Sequence, residues 1–186
     1  MNSSPRRQFH KYMNGFLCES GSYLGEGIQD ALNCGFKQVI SFEVKEDLYK
    51  QCVEKFKTFK NVKVIYGSTA RILYEYIKDI NEPITFWLDG HYSSGITGYD
   101  PDHVCPLLEE LDQIKMHPIK THTIMIDDRR LLKKSSNNGM DGLFGIEEAT
   151  VIKKLKEINP DYNIKYENGH IPSDIIVAKL NFGKNE

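Results

Sequence analysis

The sequence predicts a single α/β domain, residues 1–186, built around a doubly wound and mostly parallel sheet. Two observations support this: short apolar segments alternate with longer helical ones, and the first five short segments are apolar almost throughout. Alternating strands and helices are typical of a parallel sheet covered by helices on both faces. Strands buried on both faces lose the alternation of apolar and polar residues that half-exposed strands have.

Seven segments have the short length and apolar or β-branched composition of strands. They span residues 15–18, 38–42, 62–66, 84–88, 123–126, 163–166 and 175–180. Five helices are predicted, at residues 27–33, 45–59, 69–79, 103–116 and 147–158. Because no long helix separates the last two strands, we expect them to form an antiparallel pair at one edge of the sheet.

The composition excludes several classes of protein. The formal net charge of -2 gives no general attraction to nucleic acid, so we expect no nucleic-acid partner. No apolar run approaches the roughly 20 residues that span a bilayer, so we expect no membrane association. Residues 1–13 are polar and basic and lack the apolar stretch of a signal peptide, which predicts a short flexible arm on a cytoplasmic protein.

The cysteines indicate a reducing environment. No CxxC pair occurs among Cys18, Cys34, Cys52 and Cys105, which fall in or beside predicted strands and helices. Disulfide frameworks and zinc sites normally show cysteines at short, paired spacings. We therefore interpret the four as buried free thiols.

Two polar loops follow predicted strand ends. Residues 92–101 are rich in Ser, Gly and Asp, and residues 133–145 contain a run of Ser, Asn and Gly. Ligands of doubly wound sheets bind at the carboxyl ends of the strands, so these loops could close over a site. They could equally be ordinary surface loops.

The first strand runs into the string ESGSYLGEG, which contains Glu19, Gly21, Gly25 and Gly27. Glycines at such a point let the chain turn sharply into a helix and let the backbone approach a ligand closely. Their GxxxGxG spacing differs from the GxGxxG of dinucleotide binders. It suits a zwitterionic amino acid that carries a sulfonium, for which Glu19 would supply a nearby carboxylate.

Acidic and small residues follow the next two strands. Glu43 ends the second strand, where a carboxylate can accept hydrogen bonds from both hydroxyls of a ribose. Gly67 and Ser68 end the third strand in a small polar turn against which an adenine ring could lie. Each feature is common by itself, and their order at consecutive strand ends is what indicates a cofactor site.

This pattern resembles the class I S-adenosylmethionine-dependent methyltransferase family over residues 15–180. The resemblance implies a Rossmann-like sheet in the strand order 3-2-1-4-5-7-6, with strand 7 antiparallel. It also implies that Glu19, Gly21 and Gly25 line the methionine part of S-adenosylmethionine and that Glu43 binds its ribose. The remaining cofactor contacts are then expected at Ser22, Tyr23, Val44, Gly67, Ser68 and Asp89. The alternative is a Rossmann-like domain that binds no such cofactor.

In that strand order the fourth and fifth strands are neighbours, about 4.8 Å apart. Their ends would bring together Asp89, Asp127 and Asp128. Clustered carboxylates repel one another, and either a hard cation such as Mg²⁺ or a nearby arginine stabilises them. Arg129 and Arg130 follow directly in the sequence, so both explanations remain open.

The same aspartates are similar to motifs of the metal-dependent, macrocin-type O-methyltransferases. That resemblance implies that Asp89, Asp127 and Asp128 hold Mg²⁺ and that Asp89 takes the proton of the acceptor hydroxyl. The chain departs from the motif at His91, where a second acid often stands. His91 is either a base or substrate contact beside Asp89, or a loop histidine bonded to backbone.

The expected activity is therefore methyl transfer to a hydroxyl of a small molecule or sugar, with Asp89 and His91 as catalytic residues. Because the methyl donor is already activated, the protein has to position and deprotonate the acceptor. The alternatives are a binding or scaffold protein without turnover, and methylation of nitrogen or of a macromolecule. The Asn/Asp-Pro-Pro-Tyr signature of amino methylation is absent, and a homodimer is compatible with the sequence. The other histidines are interpreted as structural or surface residues, namely His103, His117, His122 and His170.

Overall fold

The computed structural model of the protein describes residues 7–132 and 145–181. The strands are β1 (Phe16–Ser20), β2 (Gln38–Glu43), β3 (Val62–Tyr66), β4 (Ile84–Leu88), β5 (Thr123–Ile126), β6 (Asn163–Glu167) and β7 (Ile175–Lys179). The α-helices are α1 (Glu26–Cys34), α2 (Glu46–Phe56), α3 (Thr69–Ile77), α4 (Leu107–Met116) and α5 (Glu148–Ile158). Short 3₁₀ turns lie at Phe9–Lys11 and Arg129–Leu131.

The strands form one seven-stranded sheet in the order β3-β2-β1-β4-β5-β7-β6. β1 to β5 pair in parallel, and β7 runs antiparallel to both β5 and β6. The predicted fold class is confirmed, including the antiparallel pair at one edge. The chain reverses its direction of winding between β1 and β4, which is where a doubly wound sheet opens a crevice for ligands.

Alternate positions along each strand pack on opposite faces of the sheet. One face packs against α1, α2 and the segment before β1, in a cluster that includes Leu17, Val39, Trp87, Ile28 and Phe56. The other face packs against α3, α4 and α5, in a cluster that includes Cys18, Phe86, Leu73, Leu111 and Leu155. Burial on both faces explains why the central strands are largely apolar on both faces.

Two helices differ from their predicted bounds by three or more residues at one end. α2 ends at Phe56 rather than at residue 59. α4 begins at Leu107 rather than at residue 103, and Pro106 occupies its N-cap position. Proline lacks a backbone N–H and has a fixed φ, so it is tolerated at the start of a helix but not in its interior.

The prediction of a flexible arm over residues 1–13 is wrong for the part that the structure describes. Phe9 and Tyr12 are 2% and 1% exposed. The ring of Phe9 lies edge-on to Trp87, with centroids 5.5 Å apart, and also to Phe36. The two aromatic residues, three positions apart, belong to the core on the face of the sheet that α1 and α2 cover. The sequence did not indicate this, because the residues around them are polar. Residues 1–6 lie outside the described part of the chain.

The cysteines, Trp87 and the helices bear on further predictions from the sequence. All four cysteines are free, with Cys18 and Cys52 buried and Cys34 and Cys105 partly exposed. Trp87 belongs to the core, as predicted. None of the described helices is both long enough and apolar enough to cross a membrane. Most of the polar loop predicted at residues 133–145 lies outside the described residues.

Two buried histidines join the amino ends of the strands to the helices. The backbone N–H of Ile84 donates to Nδ1 of His122 at 3.0 Å, and Nε2 of His122 lies 3.1 Å from Nδ1 of His117. His117 in turn lies 3.0 Å from the carbonyl oxygen of Ile77 in α3. Burial, reinforced by the neighbouring His117, lowers the pKa of His122 to about 3. Both residues are therefore structural, as expected from the sequence.

The lowered pKa of His122 predicts a loss of stability in acid. Between the ordinary histidine pKa and the folded value, the unfolded chain binds a proton that the folded chain does not, so the free energy of unfolding falls as the pH falls. His122→Asn keeps an acceptor for the Ile84 N–H and removes the titrating group. Between about pH 6.5 and 4, urea denaturation of the wild type should show an extra loss on the order of 2–3 kcal/mol relative to the variant. Parallel pH profiles would contradict the assignment, and exposed His10→Asn is the control that should follow the wild type.

Candidate functional site

The register of the parallel strands aligns the residues that follow them. Ser20 of β1 pairs with Phe42 of β2 and Leu88 of β4, and Leu88 pairs with Ile126 of β5. The next residues along the chain therefore form a row at the carboxyl edge of the sheet: Gly21, Glu43, Asp89 and Asp127.

A cavity of about 390 Å³ lies over this edge, next to the switch between β1 and β4. Its volume is within the range of small-molecule sites, roughly 300–1,000 Å³. Most of the predicted site residues line it, namely Glu19, Gly21, Ser22, Tyr23, Glu43, Val44, Gly67, Ser68, Asp89, His91 and Asp128. Gly25 and Asp127 are not among the lining residues.

The glycine turn after β1 is tied to both neighbouring strands. The backbone N–H groups of Gly21 and Ser22 donate to the carbonyl oxygen of Phe42, at 3.0 and 2.9 Å. Gly21 has a φ of +82°, and a Cβ at this position would lie 2.9 Å from the carbonyl oxygen of Asp89. Only glycine satisfies both the backbone angle and the close approach to the strand end of β4.

Gly25, a predicted cofactor contact, does not line the cavity and packs against α2. It adopts a φ of +78° just before α1, and a Cβ on it would lie 2.4 Å from Cε2 of Phe56 in α2. Gly27, two residues later, does line the cavity. A Cβ on Gly27 would collide with Oε1 of Glu19, so this glycine makes room for a buried carboxyl group.

Glu19 is held at the cavity wall by a chain of hydroxyl groups. The Ser41 hydroxyl donates to Oε2 of Glu19 at 2.5 Å, and the hydroxyl of Ser22 lies 2.6 Å from that of Ser41. Burial raises the pKa of Glu19 to about 7, against the opposing effects of Arg7 and of the Ser41 hydrogen bond. A cationic ligand would favour the ionised carboxylate. Ser41 was not predicted from the sequence, where it reads as one polar residue within an apolar strand.

Glu43 accepts hydrogen bonds from two backbone N–H groups. Tyr23 donates to Oε2 and Lys45 donates to Oε1, both at 2.9 Å. Burial raises the pKa of Glu43 above its ordinary value, although these backbone hydrogen bonds oppose the rise. Each carboxylate oxygen can accept a second hydrogen bond, so the side chain retains capacity for a pair of ligand hydroxyls.

The loop over residues 92–101 folds across the cavity. A Cβ on Gly98 would lie 2.7 Å from Oε1 of Glu43 and 2.5 Å from a methyl group of Val44, so the loop backbone passes directly over these side chains. Lys45 Nζ donates to the carbonyl oxygen of Ile96 at 2.8 Å. Arg71 of α3 forms an ion pair with Asp100 at 3.1 Å. Of the two alternatives for this loop, the structure supports the one in which it covers a site.

The predicted cluster of three aspartates is divided in the structure. His91 lies between Asp89, with Nδ1 3.7 Å from Oδ1, and Asp128, with Nε2 3.2 Å from Oδ2. Burial opposes protonation of His91, but the Asp128 hydrogen bond and the charges of both aspartates raise its pKa above the ordinary value. His91 is thus held by carboxylates, and it is also 3.0 Å from the Ser93 hydroxyl.

Arginine contributes to the charge balance, as one of the two sequence alternatives allowed. Arg130 Nη1 donates to Oδ1 of Asp128 at 2.5 Å and also pairs with the buried Asp174. Burial opposes ionisation of Asp128, but its contacts with His91 and Arg130 lower its pKa below the ordinary value. Arg129 takes another course, with its Nε 2.9 Å from Glu148 of α5.

Two groups of side chains have ligand atoms within 4.8 Å of one another and could hold a metal ion among the described residues. One group consists of Asp89, His91 and Asp128, and the other of Asp127, Asp128 and Asp174. The predicted ligands therefore belong to two groups that share Asp128. The first group faces the cavity and combines two carboxylates with an imidazole, a set that suits a divalent transition metal ion as well as Mg²⁺.

Further lining residues were missed by the sequence analysis. His103 and His170, interpreted as structural or surface residues, also line the cavity, and His170 is exposed. Arg7 also lines it, because the segment before β1 is folded against the core. Isolated histidines and a basic terminal residue carry no periodic signal, so only the spacing of Phe9 and Tyr12 could have indicated that Arg7 is held in place.

Glu110 lies buried on α4 beneath the strand ends. The Thr69 hydroxyl donates to Oε1 of Glu110 at 2.5 Å. Burial raises the pKa of Glu110 to about 7, although hydrogen bonds from Thr69 and Ser20 oppose the rise. The Ser20 hydroxyl also accepts the N–H of Asp89 at 3.1 Å, so α4 supports the backbone of the site through Ser20. The sequence did not reveal this role, because a glutamate on an amphipathic helix is usually exposed.

The fold of this chain is similar to those of several solved structures. A Streptococcus mutans protein with a provisional assignment as a methyltransferase, solved with SAH, has a TM-score of 0.55 at 18% identity, over 94% of this chain and 93% of that one. An O-methyltransferase family protein from Burkholderia thailandensis has a TM-score of 0.60 at 6% identity, over 98% of this chain and 57% of that one. Human N-acetylserotonin methyltransferase, solved with SAM, has a TM-score of 0.54 at 9% identity, over 90% and 48%.

This chain has the methyltransferase fold. No family model matches the sequence, and no curated protein matches it significantly. In this chain β7 runs antiparallel, a glycine turn follows β1, and the cavity lies at the switch between β1 and β4. Because sequence identity with these neighbours is low, the likeness concerns the fold, and the activity has to be argued from the side chains.

Replacement of Gly21 should disturb the packing at the cavity edge, whereas replacement of Gly35 should not. Both residues have a positive φ, but a Cβ on Gly35 would meet no atom within 4 Å. Gly35→Ala should therefore cost about 1 kcal/mol of unfolding free energy from backbone strain alone. Gly21→Ala adds a clash with the Asp89 carbonyl and should cost at least about 1 kcal/mol more in urea denaturation. Equal losses in the two variants would contradict the proposed close packing at Gly21.

Proposed function

We propose that this protein transfers the methyl group of S-adenosylmethionine to an acceptor bound beside Asp89 and His91. The observation that carries the proposal is the meeting of Glu19, Glu43 and Asp89 at one cavity on a methyltransferase fold. These three carboxylates come from three different strand ends, and the cavity is large enough for a small-molecule ligand.

The cavity offers matching groups for each part of this cofactor. Glu43 faces the cavity with spare acceptor capacity, which suits the two hydroxyls of a ribose. Gly67 and Ser68 provide a small polar wall for the adenine ring. Glu19 and the turn at Gly21 line the opposite part, where a positively charged amino-acid end would be stabilised by the buried carboxylate.

His91 and Asp89 are the candidates for deprotonating the acceptor. In the proposed reaction a lone pair of the acceptor oxygen forms a bond to the methyl carbon, and the carbon–sulfur bond breaks with its electrons going to sulfur. The proton of the acceptor hydroxyl passes to His91 or Asp89. Asp128 orients the imidazole ring at 3.2 Å, as a general base requires. We propose a hydroxyl of a small molecule or sugar as the acceptor.

A divalent ion fits the same place. Asp89, His91 and Asp128 would hold it, because their ligand atoms lie within 4.8 Å of one another and face the cavity. Such an ion lowers the pKa of a bound hydroxyl and orients it for reaction. Arg130 competes with an ion for Asp128, so the proposed ion would have to displace that contact or share the carboxylate with it.

A binding protein without turnover is the second candidate. Two observations favour it: Arg130 and His91 already balance the charge of Asp128, and the backbone at Gly98 lies against Glu43. Incubation with radiolabelled S-adenosylmethionine and a panel of hydroxylated acceptors distinguishes the candidates. Label appearing in an acceptor supports transfer, whereas binding of the cofactor without any labelled product supports the second candidate.

The role of Glu43 can be tested with S-adenosylhomocysteine. Calorimetry should detect binding to the wild type, and Glu43→Ala should weaken it by about 1.5–3 kcal/mol, as expected for the loss of a charged hydrogen-bond acceptor. Glu46→Ala is the matched control, because Glu46 is exposed on the first turn of α2 and pairs only with Lys50 among the described residues. No binding to the wild type would refute the proposed cofactor, and equal affinities in Glu43→Ala and the wild type would refute the role of Glu43.

The metal site can be tested with Mg²⁺ and Mn²⁺ in separate calorimetric titrations, after treatment of the protein with EDTA. If Asp89, His91 and Asp128 are the ligands, Asp89→Asn should lower the metal affinity by at least about tenfold. Asp127→Asn should have a smaller effect, because Asp127 belongs to the second group of carboxylates. Absence of measurable binding in the wild type would refute the ion, and a larger loss in Asp127→Asn than in Asp89→Asn would place it in the second group.

A further inference from the structure

Arg7 stands at one end of the cavity, between the strand end of β1 and the first turn of α1. It lines the cavity and is 9% exposed as a residue. Its Nη1 forms an ion pair with Asp30 of α1 at 2.9 Å, and its guanidinium carbon lies 5.9 Å from the centroid of the Trp87 ring. A buried ion pair and packing against an aromatic face hold this side chain in one position.

The guanidinium group retains unused hydrogen-bond capacity. Among the described residues, the buried Nε of Arg7 has no hydrogen-bond partner. Nη2 reaches Glu26 at only 3.9 Å, and the Glu26 side chain is largely exposed. A buried N–H without an acceptor is costly, so a ligand that supplies an acceptor here gains more than it would in water.

Glu19 and Arg7 carry opposite charges and lie near each other, but they form no direct ion pair among the described residues. The space that a Cβ on Gly27 would fill is occupied by Oε1 of Glu19, and Nε of Arg7 lies 3.4 Å from the same point. The two groups influence each other electrostatically, but no ion pair joins them within the described part of the chain. A carboxylate and a guanidinium side by side on one wall are complementary to a zwitterion, with an ammonium for the first and a carboxylate for the second.

Arg7 also supplies positive charge at the end of the cavity that Gly21 and Gly27 line. Three acids surround it there: Glu19, Glu26 and Asp30. The other arginine that lines the cavity, Arg130, is held by Asp128 and Asp174. An anionic group of a ligand at the β1 end would therefore be repelled by the local acids unless Arg7 receives it.

We propose that Arg7 binds the carboxylate of an α-amino-acid group at this end of the ligand, while Glu19 accepts hydrogen bonds from its ammonium group. The inference rests on the proposed function, because the ligand that carries this group is the methyl donor or its product. It assigns a recognition role to a residue from the segment before β1, outside the glycine turn. The planar guanidinium suits a carboxylate better than a point charge does.

The experiment compares two ligands that share the nucleoside and the sulfur but differ in the amino-acid group. S-adenosylhomocysteine carries this group and 5′-methylthioadenosine lacks it. In calorimetric titrations, Arg7→Met should weaken S-adenosylhomocysteine roughly 10- to 100-fold, as expected for a lost charge-assisted hydrogen bond. The same substitution should change the affinity for 5′-methylthioadenosine by less than about twofold. Lys11→Met is the matched control: Lys11 lies on the same segment, pairs with Glu167 and does not line the cavity.

The outcomes separate this inference from the proposed function. If the wild type binds neither ligand, the proposed function fails. If it binds both, and Arg7→Met weakens both by the same factor, Arg7 only supports the fold and the inference is overturned while the function stands. Should Arg7→Met fail to fold, wild-type protein titrated with decarboxylated S-adenosylhomocysteine gives the answer. An affinity at least tenfold below that of S-adenosylhomocysteine supports the inference, and an equal affinity overturns it.

Discussion

The parallel pairing of β1 with β2 and β4, in this one register, is the constraint on which the site depends. It places Ser20, Phe42 and Leu88 side by side, so the residues after them meet at one edge. The backbone beyond the strand ends is also bonded across the edge: the N–H groups of Gly21 and Ser22 bond to the Phe42 carbonyl. A shift of one residue would turn every side chain to the opposite face and separate these groups.

Burial is the main influence on the pKa values of Glu19 and Glu43 at this edge. Acids outnumber bases around the cavity, and burial raises the pKa of Glu19 and of Glu43. Arg7 offsets the acids at the β1 end, whereas Arg130 and His91 offset Asp128 at the β4–β5 end. Since an uncompensated buried carboxylate is costly, the free protein is electrostatically prepared for a ligand that brings positive charge.

Access to the cavity depends on the loop over residues 92–101. The contacts that hold it include ion pairs of Arg71 with Asp100 in the loop and with Asp102 just after it, and the bond from Lys45 to the Ile96 carbonyl. The rings of Tyr92 and Tyr99 also pack against each other, with centroids 5.0 Å apart. Arg71 is half-exposed, and ion pairs of exposed groups contribute little free energy, so displacement of this loop by a ligand costs less than a change in the sheet. The edge of the sheet therefore positions a ligand, and movement of the loop admits it.

The strands, the helices and the order of chemical groups at the strand ends follow from local features of the amino-acid sequence. Short and largely apolar segments indicate burial on both faces of a parallel sheet. Glu43 and Asp89 each stand directly after such a segment, and Gly21 follows another at a distance of three residues. These signals are local, which is why they could be read without coordinates. The predicted end of α2 and the predicted start of α4 were wrong, because the bounds of a helix depend on neighbouring contacts as well as on its own residues.

Which side chains meet depends on the tertiary structure. It folded Phe9 and Tyr12 onto the core and so brought Arg7 to the cavity, directed Gly25 toward α2, and divided the aspartates between two groups. None of these results leaves a periodic pattern in the sequence, because each depends on contacts between residues far apart in the chain. Side-chain direction and charge pairing across such distances are set by packing, and packing exists only in the folded molecule.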